Sequence, residues 1–317
     1  VARQTLEAWI PEEYGSDVIT RINQTSAVEL FARREPMKSD TKHVPRSGSV
    51  DVDIIPKGSP YTEDQSSLDE VLLTATKFGK VIRIAEEDLD DAPEDIIGNR
   101  QTAWATGYAK TIDNASLAIT AGVGAGVPWN SVYKQVRTVD ATTGYTADAN
   151  YRTLSNAAIA GTGAGAKATA YRAASGLLGL VETGDWYDEG DEVIMAHPAF
   201  KALLREAMTD QGQPIFLGNA VSINGVQTDT LFGLPVKWTL GARTSAARTA
   251  NPTGNPLMIV GPRKLMILGV RSGPESVVID GRGGASALTD ETLLKMRARR
   301  GFNIGAPGAF GVLELVA

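Results

Sequence analysis

The stretch DVDIIPKGSPYTEDQSSLDEVLLTATKFGKVIRI, residues 51–84, reads as two strands joined by a polar tip. In the first limb Val50, Val52 and Ile54 alternate with Asp51 and Asp53, the period-2 pattern of a strand with one wet face. The run PKGSP (56–60) interrupts it, because each proline removes a ladder donor and Gly58 loosens the backbone. The second limb, 71–84, is β-branched and aromatic, and at ~3.3 Å per residue it spans roughly 46 Å. Leu72, Phe78 and Ile82 fall on one face, while Val71, Leu73 and Val81 fall on the other. A two-stranded ribbon of this length is not stable alone in water, so both apolar faces require cover from elsewhere.

Working outward, Pro11 followed by Glu12 and Glu13 suits the first turn of a helix. Val18, Ile19, Ile22 and Leu30 recur at helical spacing. The reading is an extended arm over 1–10, carrying Trp9, then a helix over 12–33 ended by Pro36. Beyond the ribbon, Pro93 fits a first helical position with Asp91 or Ala92 as cap. Ile97, Trp104, Tyr108, Ile112 and Ile119 then share one side, and Gly122 supplies a stop. A helix over 93–121 would be about 43 Å long, a strut rather than a core element.

The middle third mixes strand and helix signals. Residues 122–170 are rich in glycine and alanine, and 171–181 reads as helix. DEVIMAHPAFKALLREAM reads as a buried strand and then a helix opened by Pro198, and TLFGLPVKWTL as a turn into a strand. In the tail, LLKMRARRGFNI places Leu294, Met296, Ala298, Phe302 and Ile304 on one face and Lys295, Arg297 and Arg299 on the other. Arg300 breaks that apolar face, as Glu314 breaks that of the return strand AFGVLELV. An odd-length turn through GAPG (305–308) would set the two opposite each other as an ion pair.

Chemistry is sparse. The chain has 317 residues, 43% hydrophobic and 21% charged, which is ordinary for a globular protein. The net charge of −6 argues against a general nucleic-acid binder, which needs surplus lysine and arginine. With no cysteine, disulfides, thiol nucleophiles and cysteine-ligated metals are excluded. His43 and His197 are the only histidines, too few for a multi-histidine metal centre. His197, next to Pro198 at a strand–helix junction, reads as a cap.

The acidic run Glu86, Glu87, Asp88, Asp90, Asp91, Glu94, Asp95 lacks the layout of a calcium loop and reads as carboxylates gathered at a helix start. The segments 122–126 and 161–165 lack the phosphate-loop pattern, and no G-x-S-x-G occurs. The row Lys295, Arg297, Arg299 has three readings: phosphates, carboxylates of a neighbouring subunit, or a solvated face, with the second favoured. No catalytic residue, cofactor or metal is expected. No apolar run reaches the ~18 residues of a membrane span. The N-terminus lacks the layout of a signal peptide and an initiator methionine, which reads as a processed chain or an expressed remainder.

An arm, a long unsupported ribbon and a strut all need partners, which points to a subunit completed by its own copies. The ordered set resembles the major capsid proteins of tailed bacteriophages, whose fold is shared by encapsulins. AWIPEEYGSDVITRI looks like the arm and its helix. KVIRIAEEDLDDAPEDIIGNRQTAWATGYAKTIDNASLAITAG looks like the start of the peripheral domain and its spine helix. VIMAHPAFKALLREAMTDQGQPIF with TLFGLPV looks like the axial domain, and LMIVGPRKLMILGV with MRARRGFNIGAPGAFGVLEL like its exit and the closing strands.

The resemblance implies an α+β chain with the phage major capsid fold. Its parts would be an N-terminal arm and helix (1–43), an extended β-hairpin loop (44–84), a peripheral domain (85–150) with its spine helix, an α/β axial domain (151–265), and return strands completing the peripheral domain (266–317). It implies a non-enzymatic subunit that assembles as hexamers and pentamers into an icosahedral head enclosing double-stranded DNA without reading its sequence. Such a subunit resides in the virion and, during assembly, in the host cytoplasm. Scaffolding, portal and decoration proteins are implied partners. The absence of a helical scaffolding segment before the arm implies its removal or a separate scaffolding protein.

The intersubunit contact candidates are Trp9, Lys57, Tyr61, Leu72, Phe78, Ile82, Arg297 and Arg299. Some family members weld subunits through a loop lysine and an asparagine. Lys57 sits in the ribbon tip, but the late loop DGRGGASALTDETLL has no asparagine, so an uncrosslinked shell is expected. The alternatives are an encapsulin shell and, remotely, a nucleotide-binding enzyme using the glycine-rich loops.

Overall fold

A computed structural model describes residues 25–47, 52–61, 63, 69–90, 95–159, 168–207, 220–223, 226–279 and 291–316. The first described helix, α1 (Ala27–Phe31), begins at Ser26, whose extended backbone and side-chain acceptor cap it by taking the Glu29 N–H. This corrects the single helix expected over 12–33. The helix has its N-terminus at residue 26, and Ala32 is extended. The chain then enters strand β1 (Arg33–Pro36), so Pro36 closes a strand rather than a helix. Residues 1–24, including Trp9, lie outside the described residues.

Two sheets organise the rest. The first has four strands in the order β1, β11 (Met266–Ile279), β12 (Glu291–Ile304) and β4 (Thr76–Ala85). Strand β12 keeps the alternation read from its sequence: Leu294, Met296, Ala298, Phe302 and Ile304 are buried, and Arg297 is exposed. Helix α2 (Glu86–Asp90) follows β4.

Helix α3 spans Ile96–Leu117, about 33 Å, shorter than the helix expected over 93–121 at both ends. Asp95, not Asp91 or Ala92, caps it by accepting the Gly98 N–H at 2.9 Å. At the other end the chain is captured before Gly122. Thr120 N–H donates to the Ser245 carbonyl (2.9 Å) and Ser131 Oγ donates to the Ile119 carbonyl (2.6 Å).

The second sheet has seven strands. Its order is β5 (Tyr151–Ser155), β13 (Gly311–Val316), β10 (Leu257–Pro262), β6 (Glu192–Ala196), β9 (Leu234–Trp238), β8 (Val226–Leu231) and β7 (Ala220–Ile223). Strands β6 and β10 are buried at every position, which is why they read as continuous apolar runs. One face, with Ile194, Met258 and Leu313, packs on helices α6 (Thr169–Glu182) and α7 (Ala199–Arg205). The other, with Met195, Ile259 and Val312, joins a large core shared with α1, α3, helix α4 (Val132–Val136) and the first sheet. A short helix, α5 (Asn156–Ile159), follows β5.

β13 belongs to this seven-stranded sheet, so the strands of the closing segment are divided between the two sheets. Arg300 and Glu314 therefore lie on unpaired strands of different sheets, and the even-length 305–310 connection does not oppose them. Arg300 pairs instead with Glu29 (Nε to Oε1 3.2 Å). Glu314 accepts hydrogen bonds from Tyr133 (2.9 Å), Tyr151 (2.5 Å) and Asn255 (2.6 Å).

The ribbon also differs from its sequence reading. β2 (Thr41–Arg46) pairs with β3 (Asp69–Thr74) as a separate two-stranded ladder. Residues 52–56 form no strand, although their alternation suggested one. The run 71–84 is interrupted at Ala75, whose N–H donates to the Asp40 carbonyl (2.7 Å). β4 beyond it joins the first sheet. That break resets the alternation. Leu72 is 45% exposed while Phe78 is buried, so the two do not share one apolar face.

Candidate subunit interface

The projecting hairpin is anchored at its base and bare at its tip. Val71 and Leu73 are buried, Leu73 against Met37 and Ile267. Asn303 Nδ2 donates to the Leu72 carbonyl (2.9 Å). Arg46 ties the base to the body: it donates to Asp140 Oδ2 (2.9 Å), to the Gly305 carbonyl (2.8 Å) and to Asp69 on the paired strand. Beyond this clamp the chain turns at Lys57–Gly58, where Gly58 has φ +90°, a conformation that favours glycine. Val52 (93%), Ile54 (98%) and Tyr61 (86%) are almost wholly exposed. Large apolar side chains bared together on one segment make it a candidate contact surface.

The expected contact residues separate accordingly. Lys57 and Tyr61 lie at the exposed tip, Leu72 is half-exposed on the hairpin, and Ile82 is half-buried. Phe78 is a correction. It is 4% exposed within its own subunit's core, its ring centroid 5.5 Å from Trp129 and 6.4 Å from Tyr108, and needs no partner chain. Arg297 is exposed but engaged by Glu275 across the ladder, while Arg299 is half-buried with no carboxylate partner among the described residues.

Behind the hairpin, buried polar groups fix the body that carries it. Asp113 on α3 is 1% exposed and accepts from Ser26 Oγ (2.5 Å), Ala27 N–H (3.0 Å), Val28 N–H (3.1 Å) and Thr239 Oγ1 (2.5 Å). Burial pushes its carboxyl upward, and the four donors pull it back. It thereby holds the start of α1 against α3 and the 239–241 turn. Tyr108, whose hydroxyl donates to Glu29 (3.1 Å), has its ionisation pushed up by burial and remains neutral. His197 caps α7 as expected: its Nδ1 accepts the Ala199 N–H (3.1 Å). Burial, aided by Arg243, lowers its pKa to about 4, so the acceptor lone pair persists at neutral pH.

No arrangement of these groups resembles a reaction centre. Among the described residues no cluster of histidine, aspartate and glutamate could hold a metal ion. An open hollow of about 250 Å³ is lined by Lys134, Thr138 and Asp140, and Asp140 is already bound to Arg46. The first glycine-rich segment forms a tight turn closed by Gly124 and Val127, and the second lies outside the described residues. No helix is long and apolar enough to cross a membrane, among the described residues. Sequence reasoning missed Arg46 and Asp113, whose partners lie as far as 259 and 126 residues away.

Comparison with known proteins agrees with this geometry. No curated protein matches the chain. Among solved structures, one described as Mycobacterium phage Ogopogo is similar with a TM-score of 0.72 at 14% identity, over 100% of both chains. One described as Mycobacterium phage Bobi has a TM-score of 0.69 at 15% identity, over 98% of this chain and 97% of its own. The capsid of an empty GTA particle has a TM-score of 0.64 at 13% identity, over 98% and 97%. At such identities these matches show a shared fold. The model of the phage capsid family covers residues 8–315, and the chain is accordingly a member of the phage capsid family, a structural subunit that forms a shell with copies of itself.

Proposed function

We propose that copies of this chain close into an icosahedral head of hexamers and pentamers that encloses double-stranded DNA without reading its sequence. The observation that carries the reading is the hairpin, clamped at its base by Arg46 and bare at Val52, Ile54 and Tyr61. Its cover comes from a neighbouring subunit. Apolar burial at ~25 cal/mol per Å² makes each such contact modest, and a subunit held by several at once is retained far more strongly than by any single one. The subunit performs no catalysis, and the shell is held without isopeptide welds. Scaffolding, portal and decoration proteins act on it during assembly in the host cytoplasm.

Purified protein viewed by electron microscopy is expected to show rings, capsomers or closed shells, and its particles to run as a single monomer band on a denaturing gel. The triple variant Val52→Ser, Ile54→Ser, Tyr61→Ser should keep the wild-type circular dichroism spectrum and melting temperature while losing particles. Normal particles from that variant would remove the tip from the assembly mechanism. A ladder of covalent multimers would overturn the uncrosslinked shell.

A further inference from the structure

The first sheet has one face that its own subunit leaves electrostatically unfinished. Paired positions set the side chains that share it. Arg299 lies opposite Lys77, Arg297 opposite Gly79, Lys295 opposite Val81, and Leu293 opposite Arg83. On the other flank, Arg297 faces Glu275 and Lys295 faces Val277. Arg297 is paired with Glu275 and Arg83 with Glu291 (3.3 Å). Lys77, Lys295 and Arg299 have no carboxylate partner among the described residues. Like charges directly opposite across a ladder are destabilising, and here Arg299 and Lys77 stand directly opposed. Gly79, between Lys77 and Val81, brings β4 close to β12, where a Cβ would meet the Met296 carbonyl oxygen at 2.9 Å. Val81 (51%) and Val277 (42%) remain exposed beside the cations, so no described element covers this part of the face.

The same chain carries a matching surplus of the opposite sign. EEDLDDAPED (86–95) has seven carboxylates and no cation in ten residues. Asp95 is occupied as the cap of α3, whereas Glu86, Glu87 and Asp88 make no ion pair among the described residues. These three sit on α2, at the end of β4. The stretch 51–64 is less dense, with four acids diluted by Lys57 over fourteen residues. Two unlike patches of one chain that fit each other generate a heterologous, head-to-tail contact, the kind that closes rings.

We infer that the Lys77–Lys295–Arg299 face of one subunit receives the Glu86–Glu87–Asp88 turn of a second copy. The contact rests on the shell reading above. It neutralises the opposed cations and fixes the register of neighbouring subunits, which is the usual contribution of charge complementarity.

The test is a charge swap in full-length protein, scored by particle yield in light scattering and electron microscopy at low salt. Lys77→Glu with Arg299→Glu, and separately Glu86→Lys with Glu87→Lys and Asp88→Lys, should each lower the association constant by about tenfold or more, equivalent to ~1.4 kcal/mol. All five changes together should restore it. The inference is overturned if the combined protein assembles no better than either parent. It is also overturned if Asp51→Lys with Asp53→Lys rescues the Lys77/Arg299 variant in place of the 86–88 changes. Reversals that spare assembly but reduce enclosed DNA would assign the face to phosphates. Reversals that lower the melting temperature of unassembled subunits would assign it to this chain's own residues. Wild-type protein that forms no particle at all would sink the shell reading, and this contact with it. Particles indifferent to every reversal would sink the contact alone.

Discussion

Replacing Asp113 with alanine lowers the unfolding free energy of the subunit by on the order of 3–5 kcal/mol, because buried donors left without an acceptor cost ~1–3 kcal/mol each before local relaxation. Four donors lose their acceptor at once, and none has water to turn to: Ser26, Thr239 and the N–H groups of Ala27 and Val28 all face this one side chain. The two backbone donors are among those that α1 cannot satisfy internally at its own N-terminus. The measurement is a guanidinium denaturation midpoint, expected to fall with an unchanged slope. Asp113→Asn, which keeps one acceptor oxygen, should lie between alanine and wild type. If the alanine variant kept the wild-type midpoint, the proposed clamp between α1, α3 and the 239–241 turn would be energetically idle.

The second large effect is a gain. Glu192 begins β6, is 1% exposed, and neither carboxylate oxygen has a hydrogen-bond partner among the described residues. Burial pushes its carboxyl up to about 8, reinforced by the nearby Asp191, Asp188 and Glu182. Only the Asp188 backbone N–H pulls the other way, without a hydrogen bond of normal geometry. The folded protein therefore keeps a proton that the unfolded chain releases above pH 4.5. Between those values the native state binds more protons than the unfolded one, so stability falls as pH rises and levels off above about 8.

Glu192→Gln removes this loss. It should raise stability at pH 8 by on the order of 2–4 kcal/mol, within the ~1.4 kcal/mol available for each pH interval of one between the unfolded and folded pKa values, and by little near pH 5. His197 works in the opposite sense: its folded pKa of about 4 lies below the ordinary 6.5, so its contribution is lost as pH falls through that range. The comparison is cleanest from pH 6.5 to 8.5. A glutamine variant whose melting temperature tracks wild type in parallel across that range would show that Glu192 is ionised and accommodated in the native fold.

What could be read from the sequence was what period and composition encode. The alternation along β12 named its buried apolar face, and the unbroken apolar run of β6 marked a buried strand. Period-2 patterning does not say which strand is the neighbour. Val52 and Ile54 alternate with aspartates yet pair with nothing among the described residues, whereas TKHVPR, with a proline and weak alternation, pairs with β3. Nor does it reveal a break such as Ala75, which is set by a hydrogen bond to Asp40 and moves Phe78 from a supposed outer face into the core. Arg300 was recognised as a charge on an apolar face, but its partner Glu29 lies 271 residues away. The interface candidates were legible only where exposure follows from a turn, as at Lys57 and Tyr61.

The placement of β13 bears on how the molecule is made. Its six residues lie between β5 and β10, with Val312 entering one core and Leu313 and Leu315 the other. A nascent polypeptide still awaiting 311–316 at the ribosome thus has β5 and β10 separated by an empty slot and both interiors open along it. A hairpin extended from such a chain has no finished body behind it until this strand slides home.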